Sequence, residues 1–117
     1  MNKIFVYGTL KRGYNMERIA KAPVFLAEAT LFYYKIFSLG GYPGITKVHD
    51  SNSFVSGEVW EVSDDDLRRL DYYEGSGYAR KTVKVLMDDK AEVECFTYVY
   101  KYAGVTEVAL PNGEWNR

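Results

Sequence analysis

In the stretch "LRRLDYYEG", residues 67 to 75, a carboxylate stands where an apolar side chain is wanted. Leu67, Leu70 and Glu74 are spaced by three and four residues, so on a helix they share one face. Arg68, Arg69 and Asp71 are charged, which makes Leu67 and Leu70 the buried stripe and aims Glu74 at the core or at a cavity beside it. Two readings stay open. Helix ends fray, and a glutamate in the last turn can swing into water. Alternatively, partial burial and the negative end of the helix dipole both raise its pKa toward neutrality, where a general acid or base works best.

A second candidate lies at "VYGTLKRG", where Gly8 and Thr9 directly follow an apolar strand. Such a turn is either a plain connection or a place where successive backbone N–H groups point at an anion. It lacks the glycine spacing of the known nucleotide loops, so a small carboxylate suits it better than a triphosphate. Lys11 and Arg12 either add positive potential there or simply face solvent. "GGYPG", residues 40 to 44, is a rigid turn or a pocket wall with Tyr42 over it. Tyr98 and Tyr100 share one face of a strand and become ligand contacts only if a pocket forms against them. His49 falls in a polar loop and is read as exposed. Cys95, the only cysteine, sits in an alternating run with no accompanying histidine pattern and is read as a small core residue. With one His and one Cys, only carboxylates could build a metal site, and no EF-hand-like spacing occurs, so no metal is predicted.

These groups need elements to hold them. "KIFVYG" reads as a short buried strand, and "YNMERIAKA" as a short helix or turn before Pro23. "VFLAEATLFYYKIFSL" is a long or broken strand, and "GGYPGI" after it is a turn cluster whose glycines and proline forbid regular structure. "SFVSGEVWEV" alternates as a strand does. The clearest helix follows, with Ser63 as N-cap, Asp64, Asp65 and Asp66 in its first turn, and Gly75 as the C-cap after Tyr73 or Glu74. "RKTVKVLM" and "AEVECFTYVYK", joined by "DDK", form a hairpin, and the tail from Gly104 is mostly loop. Strands outnumber helices, which predicts an α+β class with a strongly curved or barrel-like sheet.

A chain of 117 residues is about one domain long, and residues 1–117 are read as a single domain. Fifteen basic and sixteen acidic residues balance to a net charge of −1 with no basic run, so nucleic acid is not a predicted partner. The opening "MNKIFVYGTLKRG" has no signal-peptide pattern, and no apolar stretch approaches a membrane span of ~20 residues. A cytoplasmic protein without a membrane partner is predicted.

Taken together, "FVYGTL", "SLGGYPG", "GEVWEV", "LDYYEGSGYAR" and a late "TYVY" resemble the γ-glutamylcyclotransferase-like (AIG2-like) family, in an order that covers nearly the whole chain. "NGEWNR" resembles the end of small bacterial members. The resemblance implies a compact mixed β-barrel with short helices packed on it and a cavity at one end. It implies release of 5-oxoproline from a small γ-glutamyl amide or amine, with no metal or organic cofactor. Carried over by position, Glu74 takes the catalytic glutamate, and Tyr7, Gly8, Thr9 and Leu10 take the loop that binds the glutamyl moiety. Tyr42, Tyr78 and Tyr100 become pocket candidates. The expected partner is a small γ-glutamyl molecule, and the expected assembly a monomer or weak homodimer. The same residues also suit a non-catalytic protein that binds a γ-glutamyl or other small carboxylate, or a small interaction protein with an aromatic surface.

Overall fold

The computed structural model describes residues 1–8, 10, 11, 15–103 and 108–115. In chain order the elements are β1 (Asn2–Val6), α1 (Met16–Ile19), β2 (Val24–Phe32), β3 (Tyr34–Ser38), β4 (Pro43–Lys47), β5 (Phe54–Val62), α2 (Asp64–Glu74), β6 (Tyr78–Met87) and β7 (Glu92–Tyr100). A short 3-10 turn, Pro111–Gly113, follows. Five strands close into a barrel in the order β1-β5-β2-β6-β7, while β3 and β4 form a separate two-stranded sheet. Every pair in the barrel is antiparallel except β1 with β7, which run parallel and meet at Ile4 and Phe96. The class is therefore α+β, a mixed barrel carrying short helices.

Strand alternation sends successive side chains to opposite faces, and the apolar residues divide accordingly. Phe5, Leu31, Val55, Val59, Val85 and Cys95 pack in one cluster. Ile4, Val6, Trp60 and Val62 pack in another with Leu67 and Leu70 of α2. Helical residues belong to the second cluster, so it lies between the barrel wall and α2, and the first fills the barrel. Cys95 is buried as read from its alternation, and burial pushes its thiol up to about 12, aided by the Glu94 charge. His49 is exposed.

The α2 helix has the predicted ends. Ser63 accepts the Asp66 N–H at 3.1 Å, and Gly75, at φ 78°, donates its N–H to the Asp71 carbonyl at 3.1 Å. Asp66 does more than complement the helix dipole. It is buried, and its carboxylate accepts the N–H groups of Lys21 at 3.0 Å and Ala22 at 3.3 Å and the Arg69 guanidinium at 2.6 Å. Burial alone would raise its pKa, but those two backbone N–H groups and Arg69 outweigh it and hold the carboxyl below its ordinary value. This ties the start of α2 to the segment after α1.

The long apolar run breaks at Tyr33, whose φ of 65° separates β2 from β3. The turn cluster at 40–45 needs correcting, because β4 begins inside it at Pro43. Proline is tolerated as a first strand residue. Gly44 stays in the strand opposite Phe37, and a side chain there would meet the Tyr100 Cβ at 3.0 Å and the Phe37 ring at 3.1 Å. Only the segment before Pro43 turns, closed by the Leu39 N–H donating to the Tyr42 carbonyl at 2.8 Å.

Candidate active site

Four pieces of chain converge at one end of the barrel: the turn after β1, the turn into β4, the last turn of α2 with the start of β6, and the end of β7. They enclose a cavity of about 530 Å³. Glu74 forms part of its wall together with Tyr7, Gly8, Leu10, Tyr42, Tyr78 and Tyr100, so seven of the eight residues singled out from the sequence meet in one space. The eighth, Thr9, lies outside the described residues, as does Arg12. Lys11 is not merely solvated: its Nζ donates to the Trp115 carbonyl at 3.1 Å.

Glu74 is partly buried at the end of α2, and it is the only charged side chain among the described residues of the cavity wall. Burial raises its carboxyl pKa from 4.5 to about 7. Its charge is felt by the phenols around it. Burial first, then the Glu74 charge, raises the pKa of both Tyr7 and Tyr78, so these hydroxyls remain protonated donors. Two donate to backbone. The Tyr7 hydroxyl donates to the Tyr98 carbonyl at 2.5 Å, and the Tyr78 hydroxyl donates to the Pro43 carbonyl at 2.6 Å. Tyr78 thus braces the β4 entrance as well as lining the space. Tyr100 sits among rings, with centroids 5.5 Å from Tyr78, 6.1 Å from Phe37 and 5.8 Å from Tyr102.

Sequence reasoning missed several wall residues. Asn15, just before α1, lines the cavity and donates from Nδ2 to the Tyr73 hydroxyl at 2.8 Å. Tyr73 and Tyr102 add aromatic surface. Tyr98, left open as an edge tyrosine, is buried against the wall. Nothing in local pattern marks Asn15 or Tyr102, because both depend on how distant segments meet. Among the described residues, the indole N–H of Trp115 is buried without a hydrogen-bond partner.

A family model described as "Gamma-glutamyl cyclotransferase, AIG2-like" matches residues 4–117. The chain belongs to this family. Among γ-glutamyl cyclotransferase, AIG2-like proteins, it is similar to AIG2-like protein D of Arabidopsis thaliana, 33% identical over 119 residues that cover 99% of this chain and 76% of that one. It is also similar to the γ-L-glutamyl-butirosin B γ-glutamyl cyclotransferase of Niallia circulans, 36% identical over 75 residues, or 63% of this chain and 46% of that one. The crystal structure of an AIG2-like protein from Mus musculus superposes with a TM-score of 0.85 at 26% identity, covering 99% of this chain and 88% of that one. No helix among the described residues is long and apolar enough to cross a membrane.

The environment of Glu74 has a consequence for stability. A carboxyl whose folded-state pKa lies above its ordinary value holds its proton more tightly in the folded chain. Its stabilising contribution is present in full below about pH 4.5 and is lost as pH rises through about 7. Denaturant unfolding of the wild type and of Glu74→Gln across that window isolates the effect. The wild type should lose stability relative to the variant as pH rises, then run parallel above about pH 7. Parallel curves throughout would mean that Glu74 titrates as an ordinary surface carboxyl.

Proposed function

We propose that this chain is a γ-glutamylcyclotransferase that releases 5-oxoproline from a small γ-glutamyl amide or amine, with Glu74 as general acid and base. The observation that carries this reading is the isolated Glu74 carboxyl, tuned to about pH 7, in a cavity wall shared with Tyr7, Gly8 and Leu10. The named activity of the Niallia circulans relative supports the reaction class.

The substrate supplies its own nucleophile. Glu74 takes a proton from the α-ammonium, and the freed amine attacks the γ-carbonyl carbon to close a five-membered ring. The bond from that carbon to the departing nitrogen then breaks as Glu74 returns its proton to that nitrogen, and the second proton on the ring nitrogen passes to the released amine, which leaves as its ammonium form. No water is consumed and no electrons are exchanged. Holding the bent conformer converts the step into a positioned intramolecular reaction, an effect worth ~7–11 kcal/mol in favourable cases. Backbone N–H groups of the 7–10 turn hold the substrate carboxylate, and preorganised donors there stabilise the developing oxyanion. Tyr42, Tyr78 and Tyr100 wall the space. A general base is most effective when its pKa lies near the working pH, and the partly buried Glu74 meets that condition. Activity should therefore rise with pH through about 7 as Glu74 loses its proton.

The test is product stoichiometry. The purified protein, incubated with a panel of γ-glutamyl amides, should release 5-oxoproline and free amine in equal amounts. Free glutamate in place of 5-oxoproline would mean hydrolysis by water. Ligand-dependent thermal stabilisation with no product would mean a binding protein.

A further inference from the structure

Asp71 is one helical turn before Glu74 and is not part of the cavity wall, yet three bonds end on it. The Tyr98 hydroxyl donates to its Oδ1 at 2.7 Å, and Arg80 Nη1 donates to its Oδ2 at 2.9 Å. Its backbone carbonyl accepts the Gly75 N–H at 3.1 Å, the bond that closes α2 immediately after Glu74. Arg80 is held in turn by the Phe96 ring, 4.8 Å from its guanidinium carbon.

Tyr98 has a second attachment. Its backbone carbonyl accepts the Tyr7 hydroxyl at 2.5 Å. One residue of β7 therefore touches both halves of the site: its main chain holds the residue that opens the 7–10 turn, and its phenol holds the helical turn that carries Glu74. Tyr98 is 3% exposed and its bond from Tyr7 is buried, while the bond to Asp71 is half-buried. A buried hydroxyl meeting a carboxylate makes a charge-assisted bond, stronger than a neutral one. The Arg80 partner balances the Asp71 charge, leaving Glu74 without an uncompensated anion one turn away.

We propose that Tyr98 is a positioning residue that fixes the spacing between the substrate-holding turn and Glu74, through its carbonyl on one side and its hydroxyl bond to Asp71 on the other. The Asp71–Arg80 pair completes the clamp. This inference rests on the functional reading of Glu74 given above. A displacement of about 1 Å at a reacting group can cost ~100-fold in rate, so loss of the phenol oxygen, which is bonded to Asp71, should be visible in turnover while the Tyr98 ring and the other wall residues are kept.

The experiment is Tyr98→Phe, which removes one oxygen and keeps the ring. Two readouts are taken on the full chain: kcat and KM on a turned-over γ-glutamyl amide, and the titration of the Glu74 side-chain carbon followed by 13C NMR. With the last turn of α2 released, Glu74 gains water, and its midpoint should fall from about 7 by roughly one pH unit. kcat should drop ~10- to 100-fold with KM changed less than about threefold. If Tyr98→Phe does not fold, Asp71→Asn, which removes the Arg80 ion pair with little change of shape, is read by the same measurements with the same expected directions. An unchanged Glu74 midpoint in a folded variant overturns the clamp whether or not the protein turns over any γ-glutamyl compound. Absence of activity in the wild type with a shifted midpoint in the variant would overturn the proposed reaction and leave the clamp standing.

Discussion

Glu74→Gln should eliminate 5-oxoproline release, lowering kcat/KM by ~10²- to 10⁴-fold, while the protein stays folded. The magnitude follows from the usual contribution of a positioned general acid or base. Glutamine fills the same volume and keeps a carbonyl oxygen and N–H groups, but it cannot take the proton from the α-ammonium or return one to the leaving amine. The fold has no reason to suffer. Glu74 holds its proton to about pH 7 because burial disfavours the ion, so a neutral amide suits its surroundings at least as well as the carboxylate does. Product assay and thermal melting on the same preparation check both halves of the expectation. Wild-type turnover by the variant would remove Glu74 from the mechanism, and coincident loss of melting temperature would make it a structural residue.

The second large effect should come from Gly8→Ala. A methyl group there would sit 2.4 Å from Pro43 Cγ and 2.9 Å from its Cδ, well inside contact distance, with Trp115 Cδ1 at 3.8 Å. Neither side yields easily. The proline ring is rigid, Pro43 opens β4, and its carbonyl is held by the Tyr78 hydroxyl at 2.6 Å. The turn itself must therefore move, carrying its N–H groups away from the position proposed for the substrate carboxylate. A loss of about 100-fold in kcat/KM is expected, dominated by KM, together with ~1–3 kcal/mol of stability from overpacking. Steady-state kinetics and urea unfolding separate the two. Destabilisation with unchanged KM would show that the turn does not hold substrate.

Local features were legible in the sequence and long-range ones were not. The α2 helix announces itself through Ser63, the three aspartates and Gly75, and its period alone turns Glu74 inward. The β6–β7 hairpin is read from two β-rich runs around a polar turn. Barrel closure is different, because the parallel contact of β1 with β7 joins residues about ninety positions apart and leaves no mark in either strand. The excess of strands pointed to a strongly curved or barrel-like sheet, and the family resemblance implied the compact mixed barrel. Pro43 and Gly44 misled because a turn composition is read without its neighbours, and what allows β4 is the space set by Tyr100 and Phe37. The pairing of Asp71 with Arg80 leaves no mark in the sequence, since it depends on where α2 lies against β6. Gly8 was read from the turn that follows an apolar strand, Tyr7 and Leu10 through the resemblance, and Asn15 and Tyr102 by neither route.

The single parallel pair between the first and last barrel strands also governs when the cavity can exist. Its wall draws on residues from Phe5 to Tyr102, so a chain emerging from the ribosome must hold its first strand unpaired on one side until the last is made. Loop-closure entropy is met before those distant contacts reward it, which slows folding and leaves an open edge during synthesis. The cavity is thus among the last features to form. A nascent or clipped chain lacking β7 has α2 and Glu74 in its sequence but no space for a ligand to enter.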